Sequence, residues 1–196
     1  MRITLMQDTP LSLPSHYPGI LAASEALQFS MPSDLQTGSL LRTLVTSRPG
    51  GQFLELGTGT GLSLSWIVEG MDEQSSVISI DTSETYLSVA RDHFGSDPRV
   101  SLLCSDGAAW IEAHPEERFD LIFADAWPGK YEKLEEALSL LKKGAFYVID
   151  DMRPQPNWPA GHEEHVARLL DTLSGRKDLC LTAMNWSTGV LVAVKK

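Results

Sequence analysis

The chain has 196 residues, 42% apolar and 21% charged, which excludes a disordered or fibrous protein and fits one domain able to bury a core. Sixteen Lys and Arg stand against 26 Asp and Glu, a formal charge of −10 that argues against nucleic-acid or anionic-membrane partners. No apolar run approaches the ~20 residues of a membrane span. The start of the chain has one basic residue, Arg2, and its apolar positions are broken by Gln7, Asp8, Pro10 and Pro14, so it does not read as a signal peptide. Cys104 and Cys180 each sit in an apolar stretch and read as buried, reduced thiols of a cytoplasmic protein.

Residues 12–47 carry two predicted helices, the second opened by Ser33 with Gln36 three residues on, a capping-box spacing. From Gln52 the chain alternates short β-branched runs with segments of helical period. Strands are predicted at 52–56, 76–81, 99–104, 119–124 and 145–149. Helices follow them: one carrying Leu62, Leu64, Trp66, Ile67 and Val68, one over 83–94, and a short one from Asp106 towards Ala113. A further helix has Tyr131, Leu134, Leu138 and Leu141 on one face, and the last groups Val166, Leu169, Leu170 and Leu173. Two final strands, 178–184 and 189–195, form an antiparallel hairpin. Near-continuous apolar strands alternating with helices predict an α/β doubly wound sheet in a single domain over 1–196, with 1–50 as a helical cover.

Glu55-Leu56-Gly57-Thr58-Gly59-Thr60-Gly61 joins the first strand to its helix, where glycines permit a sharp turn and close approach of a ligand. Asp81 closes the second strand, and its carboxylate suits the two hydroxyls of a ribose. The G-x-G-x-G spacing differs from the dinucleotide pattern, and Glu55 would repel a pyrophosphate while suiting a ligand with an ammonium group.

Glu55 to Gly61 together with Asp81 resembles the S-adenosylmethionine (SAM) site of class I methyltransferases, a likeness running from about Gly38 to Lys196. It implies a Rossmann-like seven-stranded sheet of order 3-2-1-4-5-7-6 with strand 7 antiparallel. It also implies that Gly57, Gly59 and Gly61 approach the methionyl part, Ser63 holds its carboxylate and Asp81 the ribose. Asp106 falls where the family meets the adenine edge, with a helix N-cap as the alternative. Trp127 falls where a ring stacks near the adenine, with core packing as the alternative.

Asp125 ends the fourth strand and Asp150 and Asp151 the fifth, so the topology brings three carboxylates side by side. Such a group repels itself unless one member is protonated or a hard cation such as Mg²⁺ binds; the alternative has one of the pair capping the following loop. Phe123 to Trp127, Tyr131, Leu140 to Gly144 and Ile149 to Asp151 are similar to metal-dependent O-methyltransferases of the catechol and caffeoyl-CoA type. That likeness makes Asp125, Asp150 and Asp151 the metal ligands, with Asp151 standing where the family has asparagine. The family's basic lysine is replaced by Pro128, leaving Lys130 as the nearest candidate base; a solvated lysine in a first helical turn is the alternative. Trp158 and Trp186 lie on polar loops where a flat acceptor could sit, with plain anchoring of the loops as the alternative, and His162 and His165 lack a metal-site pattern.

The resulting expectation is a SAM-dependent O-methyltransferase using SAM and Mg²⁺ on a small hydroxylated acceptor, with homodimerisation left open. A nucleotide-cofactor (NAD-type) oxidoreductase and a non-catalytic SAM-binding module are the alternatives.

Overall fold

The computed structural model describes residues 9, 10 and 12–196; Arg2, Gln7 and Asp8 lie outside the described residues. Seven strands form one sheet: β1 (Gln52–Leu56), β2 (Ser76–Asp81), β3 (Val100–Cys104), β4 (Phe119–Ala124), β5 (Leu141–Ile149), β6 (Leu179–Met184) and β7 (Val190–Lys195). Their order is β3-β2-β1-β4-β5-β7-β6, as expected, with the first five parallel and β7 antiparallel to both neighbours. β1 and β4 lie at the centre, with Phe53 opposite Val77 on one side and Leu121 on the other. The two crossovers leaving β1 and β4 run to opposite halves of the sheet, which opens a crevice at their carboxyl ends.

Seven helices pack around this sheet: α1 (Tyr17–Ala26), α2 (Leu35–Thr46), α3 (Leu62–Gly70), α4 (Glu84–Phe94), α5 (Gly107–Ala113), α6 (Leu134–Ser139) and α7 (His162–Ser174). Alternation along the strands divides the core between the two faces. Leu54, Leu56, Ile122 and Tyr147 meet Leu169 and Leu173 of α7 on one face. Phe53, Leu121 and Phe123 meet Leu41, Trp66 and Phe94 on the other. Burial of both faces is why the central strands read as unbroken apolar runs.

Four expectations need correction. Leu141 begins β5 opposite Phe119 instead of extending a helix, because its spacing from Leu134 and Leu138 suits either reading and α6 ends at Ser139. Tyr131 precedes α6 in the connecting loop. Ser33 does not cap α2; the N-cap is Asp34, which makes no side-chain cap bond, and the Ser33 hydroxyl donates to Asp125 instead. Cys104 and Cys180 are free but exposed, since they lie on β3 and β6, the two edges of the sheet, where one neighbour is missing.

Candidate active site

The β1–α3 loop is fixed from behind. Its Gly57 and Thr58 amides both donate to the Ile80 carbonyl of β2, at 2.9 and 3.2 Å. Gly57 has φ +103°, and a Cβ there would stand 2.8 Å from the Asp125 carbonyl oxygen, so the close passage of this loop past the end of β4 requires glycine. Asp81 accepts the Gly59 amide on Oδ2 and the Ser83 amide on Oδ1, each at 2.8 Å. Each oxygen keeps a second lone pair for a ligand.

Glu55 is fully buried on the same face as Phe53. It accepts the Ser63 hydroxyl at 2.6 Å and the Ser79 hydroxyl. Burial outweighs those bonds and pushes its carboxyl up from 4.5 to about 7. Ser63 thus stands between Glu55 and the cleft, and neither Glu55 nor Gly61 lines it. Gly61, at φ +95°, is the N-cap of α3.

Two cavities meet across Gly57, Asp81, Ala126 and Trp127. One, of about 330 Å³, lies between Gly59, Ser63 and the segment 29–33, with Phe29 over Gly59. The other, of about 270 Å³, reaches Asp106 and Pro128. Asp106 does both things considered for it: its Oδ1 caps α5 by accepting the Ala109 amide at 2.8 Å, and it lines the cleft. Trp127 is 43% exposed and forms a wall of both cavities, so it is not core packing. Among the described residues no Lys or Arg lines either cavity, which leaves no cationic side chain for a pyrophosphate.

Asp150 and Lys130 are buried and Asp125 is half-buried beside them at the ends of β4 and β5. Lys130 is only 5% exposed, in the loop before α6, with Nζ 3.9 Å from Asp125 Oδ1; the solvated helical lysine is therefore excluded. Burial and then the Asp150 charge hold the Asp125 carboxyl well above its ordinary range, against the opposing pull of Lys130. Burial and the Asp151 charge raise Asp150 to about 6. Asp150 Oδ1 accepts from Thr188, from the Asp151 amide at 2.8 Å and from Thr37 at 3.5 Å, while its Oδ2 is buried without a partner among the described residues. Asp151, at φ +56°, faces another cavity of about 250 Å³ shared with Asp34, Gln155 and Asn157.

The three carboxylates do not close into one coordination sphere; among the described residues no group of three His, Cys, Asp or Glu does. An all-oxygen donor set with one orphaned buried oxygen still fits Mg²⁺, which is held by one or two carboxylates and keeps several waters.

Beside this group stands an aromatic wall that the sequence did not assemble. Trp127 meets Tyr131 edge-on at 5.1 Å and His165 at 5.0 Å, and the Trp158 ring lies 4.4 Å from His162. The Tyr131 hydroxyl hydrogen-bonds His162 Nε2 at 3.0 Å. Ser33, Thr37 and Thr188 were also missed as carboxylate partners. They come from the cover and the terminal hairpin, and nothing local marks them.

Residues 54–152 match the family profile described as a methyltransferase domain. A Mycobacterium avium (strain 104) protein designated an O-methyltransferase by inference is 31% identical over 117 residues, 57% of this chain and 53% of that protein. The chain spans about half the length of the curated relatives it matches. The Bacillus cereus O-methyltransferase solved in complex with SAH is 24% identical, with TM-score 0.80 over 96% of this chain and 94% of that one. The Streptomyces achromogenes O-methyltransferase TomG, solved with SAM, is 20% identical, with TM-score 0.81 over 94% and 91%. At these identities the likeness to solved structures is one of fold.

Proposed function

The chain belongs to the methyltransferase-domain family, and from that premise we propose that it transfers the methyl group of SAM to a hydroxyl of a small molecule. The observation carrying this reading is the cleft across Asp81, open at the switch point of the sheet, with Asp81 bonded to the Gly59 amide on its floor and Ser63, backed by Glu55, on its wall. We assign the ribose to Asp81, the methionyl part to Gly57, Gly59 and Ser63, and the adenine to the side of Asp106 and Trp127. Glu55 and Gly61 act on the cofactor indirectly, by fixing Ser63 and the start of α3. SAM supplies a methyl carbon on a sulfonium: as the acceptor oxygen bonds to that carbon, the carbon–sulfur bond breaks and a neutral thioether leaves.

The chain's own task is alignment and proton removal. Asp125 borders both the cofactor cavity and the buried lysine, so an acceptor oxygen held there would face the cleft. The Lys130 amine, in its unprotonated form, is the candidate to take the acceptor's proton, with Asp125 holding the ammonium that results. Asp125 and Asp150 would hold Mg²⁺, with Asp151 towards the acceptor. Bound there, the ion supplies acidity to a coordinated hydroxyl. The cover carries Ser33 against Asp125 and Asp34 along the acceptor side.

We read the chain as a single cytoplasmic domain. No helix among the described residues is long and apolar enough to cross a membrane. Calorimetric titration with S-adenosylhomocysteine and with NAD tests the cofactor: binding of the first alone is expected, and binding of NAD alone would overturn the reading. Labelled SAM with a panel of hydroxylated aromatics tests transfer. Activity unchanged by EDTA would remove Mg²⁺ from the scheme.

A further inference from the structure

We propose that His16 and His93 form a binding site for a borderline transition-metal ion such as Zn²⁺, remote from the cleft, that fastens the helical cover to the body of the protein. The two Nδ1 atoms lie 3.3 Å apart, between residues 77 positions distant in the chain. Two nitrogens bound to one tetrahedral zinc at about 2.0–2.1 Å stand roughly 3.3–3.4 Å from each other. The separation already matches; each ring needs to pivot by only about 35° to turn its lone pair from its partner to a shared ion.

Both rings are held before any ion arrives. α1 lies directly on His93: a Cβ on Gly19 would fall 2.9 Å from its Cε1. His16 is the N-cap residue of α1, and its ring meets the buried Phe94 edge-on at 5.1 Å. Without an ion, one ring must carry its proton on Nδ1 to donate to the other; with an ion, both Nδ1 atoms are ligands and the protons move to Nε2.

The pair borders a cavity of about 540 Å³, lined also by Ser15, Glu69, Asp97 and Arg99. Asp97 is occupied by Arg99, but the Glu69 side chain has no hydrogen bond or ion pair among the described residues. No third protein ligand closes the sphere among the described residues, so the site is open and its remaining positions fall to water. Imidazole donors select zinc, copper or nickel over magnesium, which separates this site chemically from the oxygen-lined one beside the cleft.

The consequence is mechanical. At its other end α1 bonds Ser24 to Thr60 of the glycine loop at 2.7 Å, and the chain beyond places Phe29 over Gly59 and against Tyr86 of α4. An ion at His16 and His93 therefore anchors the far end of the element that roofs the cofactor cavity.

The test is zinc chloride titrated calorimetrically into the full chain and into His93→Gln and His16→Gln, with thermal melts of each with and without zinc. His16 is exposed and its substitution leaves the core untouched, so at least one variant keeps the fold. The expected result is one zinc fewer per chain in both variants, with loss of the zinc-dependent rise in Tm. Unchanged stoichiometry and an unchanged rise in Tm would overturn the proposal and leave the pair as a hydrogen bond alone.

Discussion

Replacing Glu55 by glutamine isolates one buried charge and gives a result whose sign depends on pH. Glu55 is fully buried, and its carboxyl titrates at about 7 in the folded chain against an ordinary 4.5. Folding therefore favours the protonated form. That contribution is whole below pH 4.5 and is lost as pH rises through 7, a total of about 3 kcal/mol. Glutamine is neutral and of the same shape. One of Ser63 and Ser79 must turn to accept from its amide, and Ser79 can rearrange because it also shares a 2.6 Å bond with Thr58. That rearrangement costs about 1 kcal/mol at low pH. Glu55→Gln is thus expected to be slightly less stable than the parent at pH 5 and more stable by about 2 kcal/mol at pH 8. Asp150 and Asp125 have raised values too and destabilise the parent in the same direction, so only the difference between variant and parent reports Glu55. Urea unfolding followed by circular dichroism at half-unit pH steps measures that difference. A flat difference from pH 5 to pH 8 would refute the claim that burial governs this carboxyl.

Three further substitutions probe the site. Asp81→Ala removes the acceptor for the Gly59 and Ser83 amides and the proposed ribose contact, and should weaken S-adenosylhomocysteine binding by about 100-fold in calorimetry. Lys130→Met should lower kcat by about 10²- to 10⁴-fold while leaving that affinity nearly unchanged, because Lys130 lines neither half of the cofactor cleft; an unchanged kcat in single-turnover assays would reject it as the base. Tyr147→Phe leaves the Gly129 carbonyl, now bonded at 2.6 Å, without its buried donor and should cost about 1–3 kcal/mol in urea unfolding.

Much of this molecule was legible one segment at a time. Alternation of strand and helix periods located the parallel strands, most plainly β1 and β4, which are buried on both faces, and the glycine loop and Asp81 followed from their places at strand ends. Where two structures satisfy one spacing, the reading failed: Leu141 continues a helical stripe on paper and pairs with Phe119 in the sheet. Edge position was equally invisible locally, so Cys104 and Cys180 looked buried among apolar neighbours. The burial of Lys130 was not legible locally because it comes from the loop around Gly129, which Tyr147 ties to β5. The partners of the carboxylates, Ser33, Thr37 and Thr188, arrive from the two ends of the chain and could be found only in three dimensions.

Buried carboxylates argue for function because the bonds they accept do not offset the cost of burying them. Asp125 and Asp150 are each pushed towards protonation mainly by burial, and each adds to the strain through a neighbouring acid. Lys130 compensates only in part, at 3.9 Å from Asp125, and Asp150 keeps an oxygen that no described group satisfies. An Asn at position 150 would remove the repulsion at almost no change in volume, so stability alone does not account for that acid, whereas Asp125 also pairs with the buried Lys130. What they offer is negative potential at the mouth of the cleft, where a cation, a proton donor or an acidified hydroxyl relieves the repulsion on arrival. The same group that weakens the unliganded fold thereby strengthens a complex, which is the arrangement expected of residues retained for binding and chemistry.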